Sequence, residues 1–184
     1  MRKNIQLGQR RAWQLALLLG FVFTAAEAAE PKRAAEPVVI YKADTQPVID
    51  GKLDEPLWQQ ATRFDNFITF KPDYGKPTSE KTTILMTYDR KYIYFAFDCQ
   101  DSEPSMIKAA MAKRDGIDMD DWIGVVLDTF GDKQGGYLFE VNPLGVQMDG
   151  KINSDGNGDA SYDTVWESKG QIHKSGYSAE KAIP

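Results

Sequence analysis

The stretch Ile49-Asp50-Gly51-Lys52-Leu53-Asp54-Glu55-Pro56-Leu57-Trp58 packs a turn, a helix start and an apolar anchor into one short segment. Asp50-Gly51 is a tight-turn dipeptide, and it ends a short apolar strand expected around Val38 to Tyr41 and Val48-Ile49. Asp54 stands where a helix N-cap belongs. Pro56 falls in the first turn, where its missing N–H does no harm. Leu57, Trp58 and Ala61 then supply one apolar face to a single helical turn that can lid a core. The segment reads as a structural device and not as an active site.

Outward from it the pattern has period 2. Thr83, Leu85 and Thr87 alternate with Ile84, Met86 and Tyr88, and Asp89-Arg90-Lys91 turns into Tyr92 to Phe97. Ile123, Val125 and Leu127 oppose Trp122, Val126 and Asp128, while Tyr137, Phe139 and Val141 oppose Leu138, Glu140 and Asn142. Strands of this length between Gly, Asp and Asn turns predict an all-β fold, an antiparallel β-sandwich of jelly-roll type. One further helix is expected over Ser105 to Lys113, with Pro104 near its start. There is no internal repeat and no low-complexity segment.

Several ordered motifs follow the opening run. They are Tyr88-Asp89-Arg90-Lys91-Tyr92-Ile93-Tyr94, the acidic turn Arg114-Asp115 through Asp120-Asp121-Trp122, and the strand Val125 to Thr129. Gly136 to Pro143, Gly145 to Asp149, Trp166-Glu167 and Gly176 to Pro184 complete the order. From Val38 to the end the chain resembles the family 9 carbohydrate-binding modules, in the branch found at the front of larger bacterial outer-membrane and envelope proteins. The resemblance implies a domain over 38–184, with further chain beyond the Ala-Ile-Pro element. A downstream outer-membrane domain is the partner it points to.

The N-terminus carries a different kind of signal. Arg2, Lys3, Arg10 and Arg11 precede an apolar run from Ala12 to Phe23, and Ala26-Glu27-Ala28 offers a small-residue cleavage site. Residues 1–28 thus read as a secretory signal peptide, and 29–37 as a short polar linker. The apolar run is well short of the roughly 20 residues that span a bilayer. Export to a bacterial periplasm, or association with the outer membrane, is expected. Cleavage would take 22 basic and 27 acidic residues to 18 and 26, deepening the net charge from −5 to −8. An acidic surface argues against nucleic acid or anionic lipid as a partner. Cys99 is the single cysteine, so no intrachain disulfide forms, and a buried inert thiol is expected.

Two acidic clusters could carry chemistry. Asp115, Asp118, Asp120 and Asp121, followed by Trp122, read either as a calcium site or sugar-hydroxyl acceptors, or as a solvated loop pairing with Lys113 or Arg114. Asp155-Gly156-Asn157-Gly158-Asp159 echoes the start of a calcium loop. The twelve-residue frame fails, however, with Ala160 at the sixth position and Trp166 at the twelfth. Calcium on Asp155, Asn157 and Asp159 is nevertheless an expectation to test.

Sugar rings stack on flat indoles, while their hydroxyls need Asp, Asn, Gln or Arg alongside. Trp166, flanked on its face by the polar Thr164 and Ser168, is expected to stand exposed; Trp122 lies next to Asp120 and Asp121. The resemblance implies a sugar end clamped between two tryptophans, with glucan or xylan fragments as the substrate class. The resulting expectation is a non-catalytic binding module with Trp122, Trp166, Asp120 and Asp121 at its site. Catalysis finds little support. His173 is the only histidine, no nucleophile motif accompanies it, and one histidine plus one cysteine cannot build a zinc site. Two alternatives remain from the same fold. One is a docking domain with an exposed apolar patch or strand edge. The other is a b-type haem held by His173 and one of Met86, Met106, Met111, Met119 or Met148.

Overall fold

Phe95, Phe97 and Cys99 point to one side of their strand, Tyr94 and Ala96 to the other, and all five are buried. A strand covered on both faces must lie at the centre of a layered fold. The computed structural model describes residues 37–184, and the two sheets it contains are antiparallel throughout. The first has strand order β1 (Thr62–Phe64), β2 (Thr82–Tyr88), β3 (Ile93–Gln100), β9 (Gly176–Ile183), β8 (Glu167–His173). The second runs β4 (Ile123–Leu127), β5 (Gly135–Val141), β6 (Gln147–Asn153), β7 (Gly158–Asp159). This is the expected all-β sandwich. The expected signal peptide, and all of the expected linker except Pro37, lie outside the described residues.

Between the sheets Phe95, Phe97, Phe139, Val141, Trp166, Ala179 and Ile183 form the main core. A second cluster covers the outer face of the five-stranded sheet, where Trp58, Leu57, Leu53 and Ile49 pack on Tyr94, Ala96, Leu85 and Ala182. The opening motif is therefore a lid, as its sequence implies. Glu180 fastens it. Its carboxylate accepts the N–H groups of Asp50 (3.0 Å) and Gly51 (2.8 Å) and the indole N–H of Trp58 (3.0 Å). The β2–β3 hairpin is set by Asp89, which accepts from Lys91 N–H, Tyr92 N–H and the Tyr94 hydroxyl. Hydrogen bonds from Gln46 and these backbone groups hold the Asp89 carboxyl well below the usual carboxylate range.

Three local expectations need correction. No strand forms at Val38–Tyr41 or Val48–Ile49; Val38, Val39, Tyr41 and Val48 are exposed, and only Lys42 bridges to Tyr88. The helix α1 covers just Leu57–Gln60, with Pro56 and not Asp54 at its N-cap position and no side-chain cap. The helix expected over Ser105 to Lys113 is reduced to a 3-10 turn at Pro104–Met106. The backbone beyond that turn has other partners. Lys108 N–H donates to Asp121 (2.8 Å), Ala110 N–H to Asp120 (3.1 Å), and Asn142 Nδ2 donates to Ala110 O (2.9 Å). A helix of fewer than three turns is marginal by itself, so these tertiary bonds decide the conformation.

Candidate functional site

The start of β2, the end of β3 and the start of β4 come together at one end of the sandwich. They leave an open cleft of about 360 Å³ between Glu80, Gln100, Asp101, Asp120, Asp121 and Trp122. Cys99 and Tyr177 lie at its floor. Trp122 is 52% exposed, although tryptophan is highly buried on average. Asp120 Oδ2 accepts Asn142 Nδ2 at 2.8 Å and Ala110 N–H, while Asp121 Oδ2 accepts Lys108 N–H. These bonds fix both carboxylates and leave Oδ1 of each without a hydrogen-bond partner among the described residues. Asp101 likewise commits one oxygen, to Glu103 N–H at 2.7 Å. The cleft thus presents a flat indole beside three positioned acceptor oxygens, the arrangement that suits a sugar ring and its hydroxyls. Burial pushes the Cys99 thiol at its floor up to about 11, so its thiolate is scarce at neutral pH.

The structure brings Trp122, Asp120 and Asp121 together, and it separates Trp166 from them. Trp166 is 5% exposed and meets Phe139 edge-on at 5.4 Å between the sheets. Arg114 stands 6.0 Å over its ring and Lys181 at 5.9 Å. The expectation that Trp166 is exposed is corrected, because an indole buried on both sides has no free face for a sugar. Its Nε1 has no hydrogen-bond partner among the described residues. Nor does Arg114 join the acidic turn that precedes Trp122. It donates to Gln147 Oε1, to the buried Asp149 and to Thr164 O, fastening the chain before Trp166 to β6.

Asp155, Asn157 and Asp159 lie at the β6–β7 hairpin, all exposed. Asp155 accepts the Asn157 backbone and side-chain N–H groups (3.0 and 2.7 Å), and Asp159 accepts from Ser161 N–H and Oγ. Their oxygens face their own turns, and among the described residues no three His, Cys, Asp or Glu side chains converge as a metal site. His173 ends β8 with its Nδ1 3.2 Å from Ser175 Oγ. Met106, at the end of the 3-10 turn, and Met111 and Met119, on loops, are exposed; Met86 packs against the main core, and Met148 lies in β6.

Sequence reasoning missed the buried charges of β9. Lys181, fully buried between the sheets, donates to Ile123 O and Phe139 O at 2.8 Å each and lies 4.6 Å over Phe97. Burial lowers its ammonium to about 7. The signal was present: an adjacent Glu-Lys pair inside the otherwise small and apolar run Ala179 to Ile183.

The family model for the carbohydrate family 9 binding domain-like proteins matches residues 49–184, and the chain belongs to that family. Among solved structures it is similar to a family 9 carbohydrate binding module from Caldicellulosiruptor kristjanssonii in complex with cellotriose. The two are 17% identical with a TM-score of 0.48, over 78% of this chain and 66% of that one. A second structure of such a module from the same organism, in complex with glucose, gives the same identity and TM-score over 78% of this chain and 67% of that one. No curated protein matches the chain.

Proposed function

We propose that this chain is a non-catalytic carbohydrate-binding module, exported to the periplasm or outer membrane as part of a polysaccharide-handling envelope system. Its ligand lies in the Trp122 cleft. One observation carries the reading: a half-exposed indole fixed beside the unshared oxygens of Asp101, Asp120 and Asp121. The indole stacks on the C–H face of a sugar and the carboxylates accept its hydroxyl protons. Glucan or xylan fragments are the substrate class. The test is calorimetric titration of the chain with xylo-, cello- and chito-oligosaccharides, with and without calcium and EDTA. Saturable binding lost in Trp122→Ala supports the module reading. Loss on EDTA treatment, restored by calcium, would show that an ion is needed, and the same loss in an Asp155→Ala variant would assign it to Asp155, Asn157 and Asp159.

A second reading, a docking domain, is favoured by β4. This strand is an edge with the sequence Ile-Gly-Val-Val-Leu, free of charge and proline, and Val126 on it is 53% exposed. Such edges accept an added strand. Protection of β4 amides from hydrogen exchange by a partner, in a protein silent to every sugar, would select this reading.

A further inference from the structure

The opposite end of β4 from Trp122 carries a second aromatic pocket. The β4–β5 loop and the start of β5 at Gly135 and Gly136 border an open depression of about 220 Å³ with Phe130, Tyr137, Lys151 and Asn153 in the lining. We propose that this pocket is a second carbohydrate site, and that it takes an acidic sugar, a hexuronate unit.

Phe130 is 83% exposed. A stray exposed phenyl ring is ordinary, but this one is presented by a braced loop. The Asp128 carboxylate accepts the N–H groups of Phe130 (3.2 Å), Gly131 (2.8 Å) and Lys133 (2.9 Å). Gly131 and Lys133 both adopt positive φ, +67° and +58°, to complete that turn. Across the pocket Tyr137 pairs with Tyr162 at 5.0 Å, and the Lys151 ammonium rests over both rings, 4.7 Å from Tyr162 and 5.6 Å from Tyr137.

Lys151 carries the charge argument. It forms no salt bridge among the described residues. Asp159, its partner across the β6–β7 pair, turns its Oδ1 to Ser161 N–H and Oγ and attracts Lys151 only through space, without a direct ion pair. The acid in the lining, Asp132, commits Oδ1 to Gln134 N–H at 2.8 Å. A phenyl face for ring C–H groups, the Gln134 and Asn153 amides for hydroxyls, and an ammonium steadied on two tyrosines together fit a carboxylated sugar. On a chain of net charge −5 an acidic glycan is otherwise repelled, so a placed cation is what such a ligand needs.

This inference shares only the ligand class with the Trp122 reading. The five residues of β4 separate the two sites by roughly 17 Å of strand, so each can be disabled alone. The experiment titrates the 184-residue chain and its Phe130→Ala, Lys151→Met and Trp122→Ala variants with digalacturonate and with neutral galactobiose. Thermal unfolding of each variant establishes that it is folded. The expected result is saturable digalacturonate binding that weakens at least about tenfold in Phe130→Ala and in Lys151→Met, and stays within about twofold in Trp122→Ala. Galactobiose binds this site at least about tenfold more weakly than the acidic sugar. Absence of digalacturonate binding by the folded protein, binding that survives Phe130→Ala, or binding lost only in Trp122→Ala overturns the proposal. The Trp122 reading fails on different data, the neutral oligosaccharide titrations, so the two failures are distinguishable.

Discussion

Gly51 and Glu180, 129 residues apart in the chain, meet in a 2.8 Å hydrogen bond from the glycine N–H to Oε2 of the carboxylate. The Ser178 hydroxyl donates back to Gly51 O at 2.6 Å, so the turn is held on both its donor and its acceptor. Through this contact the opening motif reports on the last strand of the fold. The lid closes only where β9 supplies Glu180, and Trp58 joins it through the same carboxylate. Replacing Glu180 with Ala leaves Gly51 N–H without an acceptor, while Asp50 N–H keeps Val48 O (2.9 Å) and the Trp58 indole keeps Glu55 Oε2 (3.1 Å). A loss of about 1–3 kcal/mol of stability is expected, measurable by urea denaturation.

Gly51 itself tolerates no side chain. Its φ is +88°, and a Cβ there would sit 3.1 Å from the backbone carbon of Gly170. Gly51→Ala should destabilise the fold by more than about 1 kcal/mol through backbone conformation and crowding together, visible as a lowered Tm.

The buried charges of β9 give stability a distinctive pH profile. Burial raises Glu180 from its ordinary 4.5 to about 7, so between those values the folded chain holds a proton that the unfolded chain has lost. Its contribution to stability therefore falls as pH rises through that window. Lys181 behaves in the opposite sense. Burial lowers it from 10.5 to about 7, the unfolded chain binds the extra proton between those values, and stability rises with pH there. The two windows meet near neutrality, where they predict a dip in Tm. Glu180→Gln should flatten the acid side of the dip and Lys181→Met the alkaline side. A Tm series across pH 5 to about 9.5 for the three proteins checks both limbs.

The two tryptophans should separate cleanly. Trp166→Ala opens a cavity between the sheets and is expected to cost about 3–5 kcal/mol. Trp122→Ala, at a half-exposed position, should leave the unfolding midpoint nearly unchanged while removing cello- and xylo-oligosaccharide binding. Chemical denaturation and titration of the same two variants test the pair.

Much of the architecture was legible from period alone. The alternation of β2, β4 and β5 predicts their faces, and the unbroken apolar run of β3 reflects cover on both sides by the main core and the Trp58 cluster. Trp166 was misread for a specific reason. Thr164 lies before β8 begins at Glu167, so the period-2 rule does not reach it. Both polar neighbours also bond inward, Thr164 N–H to Asp149 at 2.9 Å and Ser168 Oγ to Gly145 O at 2.8 Å. The 105–113 segment misled because its partners, Asp120, Asp121 and Asn142, are distant in sequence and outweigh local helix propensity. The cleft was half legible: Trp122, Asp120 and Asp121 are neighbours in the chain, whereas Glu80, Gln100 and Asp101 arrive only through sheet topology.

The most direct test of the central claim is titration of the chain with cello- and xylo-oligosaccharides, followed by tryptophan fluorescence and heat, in wild type and Trp122→Ala. The account predicts saturable binding with a fluorescence change in the wild type, and loss of both in a variant whose Tm is retained. Binding that survives Trp122→Ala, or no response to any sugar from the folded protein, would contradict it.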